Sequence, residues 1–298
     1  MRCKRRRMKA EYVVVKKEPE SGIFLELHKS IMQEIFPFVV AFVIGNHPSG
    51  SGTFVSVGEY HGILTARHVA DDLFAAPPDS LSLCIENTAH RLEIRLSQIL
   101  HIPVGIPKNE NGELPDLSFV QIVDKRLLRV IASKKAFYNL GAHSDDFLSF
   151  IRFFRRSWWF VSGSPKEFSR AIISSTAEKL MSISIFVGDA TFATNSQQDT
   201  SNLDQVVVKV PIGGAFPVDY DGMSGGGVWL APLMSEAESP SASFKPELIL
   251  AGVIHSQLPP KSQHRILHAN GPRSVFQRVP EALRRHHESK QDLVIHPM

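Results

Sequence analysis

Asp221-Gly222-Met223-Ser224-Gly225-Gly226-Gly227-Val228-Trp229 sets one serine among four glycines, directly ahead of an apolar run. Glycine tolerates positive φ, lets backbone N–H groups converge and removes side chains that would block access to the serine. Two such donors beside a nucleophile form an oxyanion hole, here the N–H groups of Gly222 and Ser224. A phosphate-cradling loop is one competing reading. The lysine and helix that usually follow such a loop are absent, and Val228-Trp229-Leu230 reads as a strand. A bare flexible turn is the other competitor. Local grounds favour the nucleophile.

Outward from this turn the chain reads as short strands. In the first half they are Phe38–Ile44, Gly52–Val57, Gly62–Thr65, Leu81–Ile85, Leu92–Leu96 and Leu117–Ile122; in the second, Trp158–Ser162, Ile183–Val187, Val206–Val210, Gly226–Leu230 and Leu248–His255. Turn-forming stretches such as Asn46–Gly50 and Pro107–Gly112 separate them, and a polar loop, Ser235–Pro246, joins the last two. Strands this short and this frequent suggest barrels or sandwiches rather than βαβ units. A helix is expected over Ser21–Ile35, ended by Pro37, and another over Pro280–Lys290. Between Lys125 and Arg156 the pattern is helical and basic, a connection between two β-rich halves. The domains read as a basic, disordered extension over 1–20, a helix and first barrel over 21–150, and a second barrel with a closing helix over 151–298.

Two further segments carry candidate chemistry. In Thr65-Ala66-Arg67-His68-Val69-Ala70 a histidine follows a strand end at the start of a helical stretch, where one ring nitrogen can stay free to act as a base. Taken alone, a satisfied surface or core histidine is the plainer reading. In Pro115-Asp116-Leu117-Ser118-Phe119-Val120 an aspartate opens an apolar strand, a costly place for a charge unless it is hydrogen-bonded. A base-orienting carboxylate has such a place, and so does a residue capping the strand start.

Composition narrows the class. The 298 residues are 43% hydrophobic and 21% charged, as in folded soluble proteins. The formal charge of +3 is owed to Arg2, Lys4, Arg5, Arg6, Arg7 and Lys9; without those six it becomes −3. A solvated tail is the simpler reading of them and a polyanion-binding arm the alternative, so nucleic acid is not a leading partner. Cys3 and Cys84 make no disulfide framework, and no secretory signal or membrane-spanning run is evident, so the cytoplasm is the expected address. His264, His268, His286 and His287 lack the carboxylates or cysteines that would complete a metal site, and read as solvated loop and helix histidines. No metal and no cofactor is expected.

Five segments in order carry a family resemblance. Thr65-Ala66-Arg67-His68 resembles the Thr-Ala-x-His motif of chymotrypsin-like serine proteases, the bacterial trypsin-like peptidases among them. Asp116-Leu117-Ser118-Phe119-Val120 is similar to their Asp-Leu-Ala-Leu-Leu strand, and Gly222-Met223-Ser224-Gly225-Gly226 to their Gly-Asp-Ser-Gly-Gly. Gly50–Val55 resembles the Gly-Ser-Gly-Phe strand of bacterial and HtrA-type members, and Leu250–Ile254 the strand after the nucleophile loop. The match spans about residues 38–257, in the family's order of His, Asp, Ser.

The resemblance implies a mainly all-β fold of two antiparallel barrels, with Ser224 as nucleophile, His68 as base and Asp116 orienting it. It implies a serine endopeptidase acting on a protein or peptide substrate. Met223 stands where secreted members carry an aspartate that pairs with a newly cleaved N-terminus. The site is therefore expected to be either ready-made or ordered by an activating protein partner or by substrate. For specificity the resemblance points to Val218 at the base of the primary pocket, with Asp219 beside it and His255 and Ser256 on the following strand. Val218 would favour an apolar side chain and an inward Asp219 a basic one. His255 comes one residue later than the pocket histidine of glutamate- and glutamine-preferring relatives, a shift that reverses its face in a regular strand. Packing behind the triad is its alternative role. Two rival functions stand: a catalytically idle peptide-binding module of the same fold, and a nucleic-acid-associated factor using the basic tail.

Overall fold

A computed structural model describes residues 22–86, 91–104, 115–143, 157–173, 179–193, 205–232 and 247–295. The 1–20 extension, the Pro107–Gly112 turn, the Ser235–Pro246 loop and Phe147–Arg156 of the connection lie outside the described residues.

Helix α1, Gly22–Ile35, stops at a 3-10 turn, Phe36–Phe38, because Pro37 has no N–H to continue it. Ile31 and Ile35 are fully buried. Strands β1 (Val39–Ile44), β2 (His47–Val57), β3 (Tyr60–Thr65), β4 (Leu81–Cys84), β5 (Leu92–Glu93), β6 (Ile99–Pro103) and β7 (Ser118–Ile122) follow. They pair in the order β5-β4-β1-β2-β3-β7-β6, and β8 (Tyr138–Asn139) adds to β2 in parallel. Helix α2 (Arg67–Ala75) leaves β3, and α3 (Lys125–Ala132) leaves β7, its first turn capped by the Asp124 carboxylate on the Leu127 N–H.

Alternation along these strands divides their apolar residues between two cores. Val40, Phe42, Phe54, Ile63 and Val120 pack with Val69 and Leu73 of α2 and with Leu127 and Ile131 of α3. Val39, Val55, Leu64 and Phe119 enter a larger core that continues into the second half through Trp159, Val161, Val228 and Trp229. Each such side chain contributes roughly 1.5–3 kcal/mol by leaving water. The shared core fixes the two halves against each other, and the site lies where they meet.

The second half contains β9 (Ser157–Gly163), β10 (Arg170–Ile173), β11 (Lys179–Ser182), β12 (Phe186–Phe192), β13 (Gln205–Pro211), β14 (Gly227–Pro232), β15 (Ile249–Gln257) and β16 (His264–Asn270). Six of these close a barrel in the order β12-β13-β16-β15-β14-β9, with β9 paired to both β14 and β12; β10 and β11 form a separate hairpin. Helix α4, Val279–Ile295, follows a π-helical turn, and its buried Val279 and Leu283 lie one turn apart on the face that meets the larger core.

The chain is mainly β, as expected, but only the second half closes. The first half is a curled open sheet, and its end strands β5 and β6 are not paired with each other among the described residues. Five strands, β6, β8, β10, β11 and β16, have no counterpart among those expected. β6 occupies Ile99–Pro103, and β16 occupies His264–Asn270, where loop histidines were expected. The expected Ile183–Val187 strand is displaced to β12, and Leu96 belongs to a 3-10 turn rather than to β5.

Candidate active site

His68 is the second residue of α2. Ala66, the N-cap, is extended (φ −64, ψ 145), so the chain turns from β3 into the helix with the first-turn N–H groups unshared by any preceding turn. Asp116 supplies the acceptor. Its Oδ1 takes the His68 N–H at 3.0 Å and its Oδ2 lies 2.7 Å from His68 Nδ1. A carboxylate only accepts, so Nδ1 carries the proton and Nε2 keeps its lone pair. The positive end of α2 adds to the attraction.

Asp116 is held from both halves of the molecule. Its carbonyl accepts the Asn270 Nδ2–H from β16 at 2.7 Å, and Leu117 beside it is fully buried. The hydrogen bond to Asp116 raises the His68 pKa above 6.5, against burial, which lowers it; Asp116, Asp72 and Asp71 add charge that raises it further. Burial pushes the Asp116 carboxyl up, but the two hydrogen bonds from His68 and the nearby His68 and His255 charges outweigh it and leave its pKa below the usual value.

Two consecutive turns share Met223, and Ser224 is the second residue of the later one. The Met223 N–H bonds the Tyr220 carbonyl at 3.1 Å with Gly222 at φ +90, and the Gly226 N–H bonds the Met223 carbonyl at 2.8 Å with Gly225 at φ +90. Asp221 and Ser224 are not among the residues with positive φ, so both are type II turns, which require positive φ at the third residue. That is why glycines flank this serine. A Cβ on Gly225 would also lie 1.9 Å from the Ser51 carbonyl oxygen.

Hydrogen bonding along the turn alternates. The N–H groups of Tyr220, Asp221, Met223, Gly225 and Gly226 all find acceptors. Those of Gly222 and Ser224 have none among the described residues. Gly222 is buried and Ser224 half-buried. Two donors with no structural duty therefore flank Met223, in the positions expected of an oxyanion hole.

Ser51, on β2, joins this turn to the start of α2. Its N–H bonds the Ser224 carbonyl at 2.8 Å, and its own carbonyl accepts the Thr65 hydroxyl at 2.7 Å, three residues before His68. Its buried hydroxyl donates to the Gly222 carbonyl at 2.7 Å and accepts the Ser164 N–H at 2.8 Å. The structure thus brings His68 and Asp116 into direct contact and sets the Ser224 turn against the same corner. In the sequence Ser51 stood only within the Gly50–Val55 segment of the resemblance, with no role of its own.

Met223 is fully buried. Its sulfur lies so close to Gly163 that a Cβ there would be 2.8 Å away, an apolar contact where a carboxylate would need a partner. His255 is the extra residue of a β-bulge: Ile254 pairs with Ala269 and Ser256 with His268, so strict alternation fails at this point. Burial lowers the His255 pKa; Asp116 opposes this, while His268 and His68 add to it, which puts the ring within electrostatic reach of the His68–Asp116 pair.

Val218 and Asp219 are exposed, Val218 by 52%, and Glu167 Oε2 takes both of their N–H groups at 2.8 Å. The Asp219 carboxylate is engaged by Gln257 Nε2 at 2.9 Å and Arg265 Nη1 at 3.3 Å, and Arg265 also bonds Gln257 Oε1 at 2.7 Å. An arginine of the chain already answers this carboxylate. Ser256 is exposed on β15 opposite His268. Sequence reasoning missed Glu167, Gln257 and Arg265, whose partners lie 38 to 52 residues away for the bonds to Asp219.

No family model matches the chain, and no curated protein matches it. Among the described residues no group of three or more His, Cys, Asp or Glu could hold a metal ion, and no helix is long and apolar enough to cross a membrane.

Proposed function

We propose that the chain is a serine endopeptidase of the chymotrypsin-like double-barrel type, acting on protein or peptide substrates. Nε2 of His68 takes the proton of the Ser224 hydroxyl as its oxygen attacks the peptide carbonyl. The oxyanion is received by the N–H groups of Gly222 and Ser224. Asp116 keeps the proton on Nδ1 and stabilises the imidazolium, which then protonates the departing amine. Water, deprotonated by the same ring, resolves the acyl-enzyme and restores Ser224.

The observation that carries this reading is the pair of unshared N–H groups on either side of Met223, in a turn where every neighbouring amide is bonded. The sequence holds only two cysteines, and the cytoplasm is our reading of the address. The test is a library of proteome-derived peptides incubated with wild type and with Ser224→Ala, new termini being read by mass spectrometry. Termini produced by the wild type alone are expected. Identical spectra from the two proteins would sink the proposal.

A further inference from the structure

The nucleophile loop, residues 218–222, is gripped by one short segment of the same chain. Between β9 and β10 a 3-10 turn, Lys166–Phe168, presents two consecutive residues to it. The Lys166 N–H donates to the Asp221 carbonyl at 2.7 Å, and Lys166 Nζ lies 3.0 Å from Asp221 Oδ2. Glu167 Oε2 takes the N–H groups of Val218 and Asp219. Gly222 abuts the same segment so closely that a Cβ there would lie 2.6 Å from the Ser164 carbonyl oxygen and 3.1 Å from the Lys166 nitrogen.

We infer that Lys166 and Glu167 are positioning residues that hold the oxyanion hole open, so that the site is assembled in the isolated chain. This rests on the serine-protease reading for its consequences. The Asp221–Gly222 peptide is planar and trans, so its C=O and N–H point in opposite directions. With the carbonyl bound to Lys166, the Gly222 N–H is turned away from that segment and left for the substrate. Freed from the bond, the same peptide can rotate. A type II turn becomes type I, Gly222 moves to negative φ, and the Asp221 oxygen replaces the donor. Glycine permits both states about equally, so the choice falls to the clamp. Met223, buried and uncharged, takes no part in an ion pair that could make it. The clamp does in one chain what a partner or a cleavage step would otherwise do.

Lys166→Pro tests this with little collateral change. Lys166 is the first residue of its turn, where proline's φ is accepted, and Pro165 before it is extended (φ −61, ψ 131), as a residue preceding proline must be. The substitution deletes the N–H that holds Asp221, whereas Lys166→Met keeps it. Purified full-length proteins are treated with a fluorophosphonate probe, and amide hydrogen exchange is followed across residues 218–223. The wild type is expected to label as isolated. Lys166→Pro should label at least tenfold more slowly, toward the roughly 10²–10³ that one lost oxyanion donor costs, with faster exchange in the loop. Lys166→Met should recover to within a few-fold of wild type. Lys166→Pro labelling as fast as wild type overturns the clamp and leaves the protease reading standing. Wild type that labels only with an added partner overturns it too. If no form labels under any condition, the protease reading fails, and the clamp then stands or falls on whether exchange quickens in Lys166→Pro but not in Lys166→Met. Should Lys166→Pro fail to fold, Glu167→Ala decides by the same two readouts.

Discussion

One carboxylate, that of Asp116, holds His68 twice, through the backbone N–H at 3.0 Å and through Nδ1 at 2.7 Å. The first bond places the helix start and the second fixes the ring, so position and tautomer come from the same group. Reactivity at Ser224 should therefore depend on Asp116 more steeply than on any other residue outside the serine and the histidine.

For the pH profile, the base must be neutral to accept a proton, and Asp116 raises the His68 pKa above 6.5. Labelling or cleavage should rise with pH through a midpoint above 6.5. Asp116→Asn removes the charge and permits the wrong tautomer, at a cost of roughly 10⁴ in kcat. Rate–pH profiles of both proteins check this; a wild-type midpoint at or below 6.5 contradicts it.

On the protease reading, Arg265 should set the substrate preference. With the Asp219 carboxylate already answered, wild type should show no preference for lysine or arginine before the scissile bond. Arg265→Met leaves Asp219 without its cation and should shift cleavage toward basic residues by several-fold. Peptide-library profiles of the two proteins decide, an unchanged profile counting against the placement of Asp219 beside the substrate.

Ser51→Ala leaves the Gly222 carbonyl and the Ser164 N–H without their shared buried hydroxyl. The expected loss is about 1–3 kcal/mol of stability, the usual cost of stranding buried polar groups. Denaturant midpoints at constant m-value measure it. A loss within error would show that the hydroxyl is not the joint between the halves.

Lys135 gives a signature independent of the site. Only 7% exposed, it donates to the Phe36 carbonyl at 3.0 Å, and burial lowers its pKa to about 8, although Cys84 and Glu86 pull the other way. The folded value lies below the unfolded 10.5, so between the two the unfolded chain holds a proton the folded chain has shed. Stability from this group is thus lower below pH 8 and rises toward 10.5, by at most about 3 kcal/mol at 1.36 kcal/mol per pH unit. Lys135→Met should flatten that rise in denaturation series at pH 7 and 10. Equal slopes in the two proteins would contradict it.

Much of this fold was legible where burial is two-sided or glycines are bound to a backbone need. β7 and β14 read as strands because Phe119, Val120, Val228 and Trp229 are all buried, and Gly222 and Gly225 announced a special turn before its type was known. β16 was missed because only Leu267 and Ala269 in its middle are fully buried apolar residues, while His264, Arg265, His268 and Asn270 give it a loop's composition. At His255 strict alternation does not hold for another reason: it is the extra residue of a β-bulge, so parity along the strand does not set its face. Ser51, Lys166 and Glu167 look like ordinary turn and surface residues, and their roles exist only once distant segments meet. The closure of one half and not the other is likewise a matter of which strands pair, which local pattern does not record.

That Ser224 is an activated nucleophile is the proposal on which the chemistry of the site rests. It is tested most directly by treating the purified protein with a fluorophosphonate and locating the adduct by mass spectrometry, with Ser224→Ala and His68→Ala in parallel. A single adduct on Ser224 in the wild type, none in Ser224→Ala and strongly slowed labelling in His68→Ala are expected. An adduct on another residue, or equal labelling in all three proteins, would contradict it.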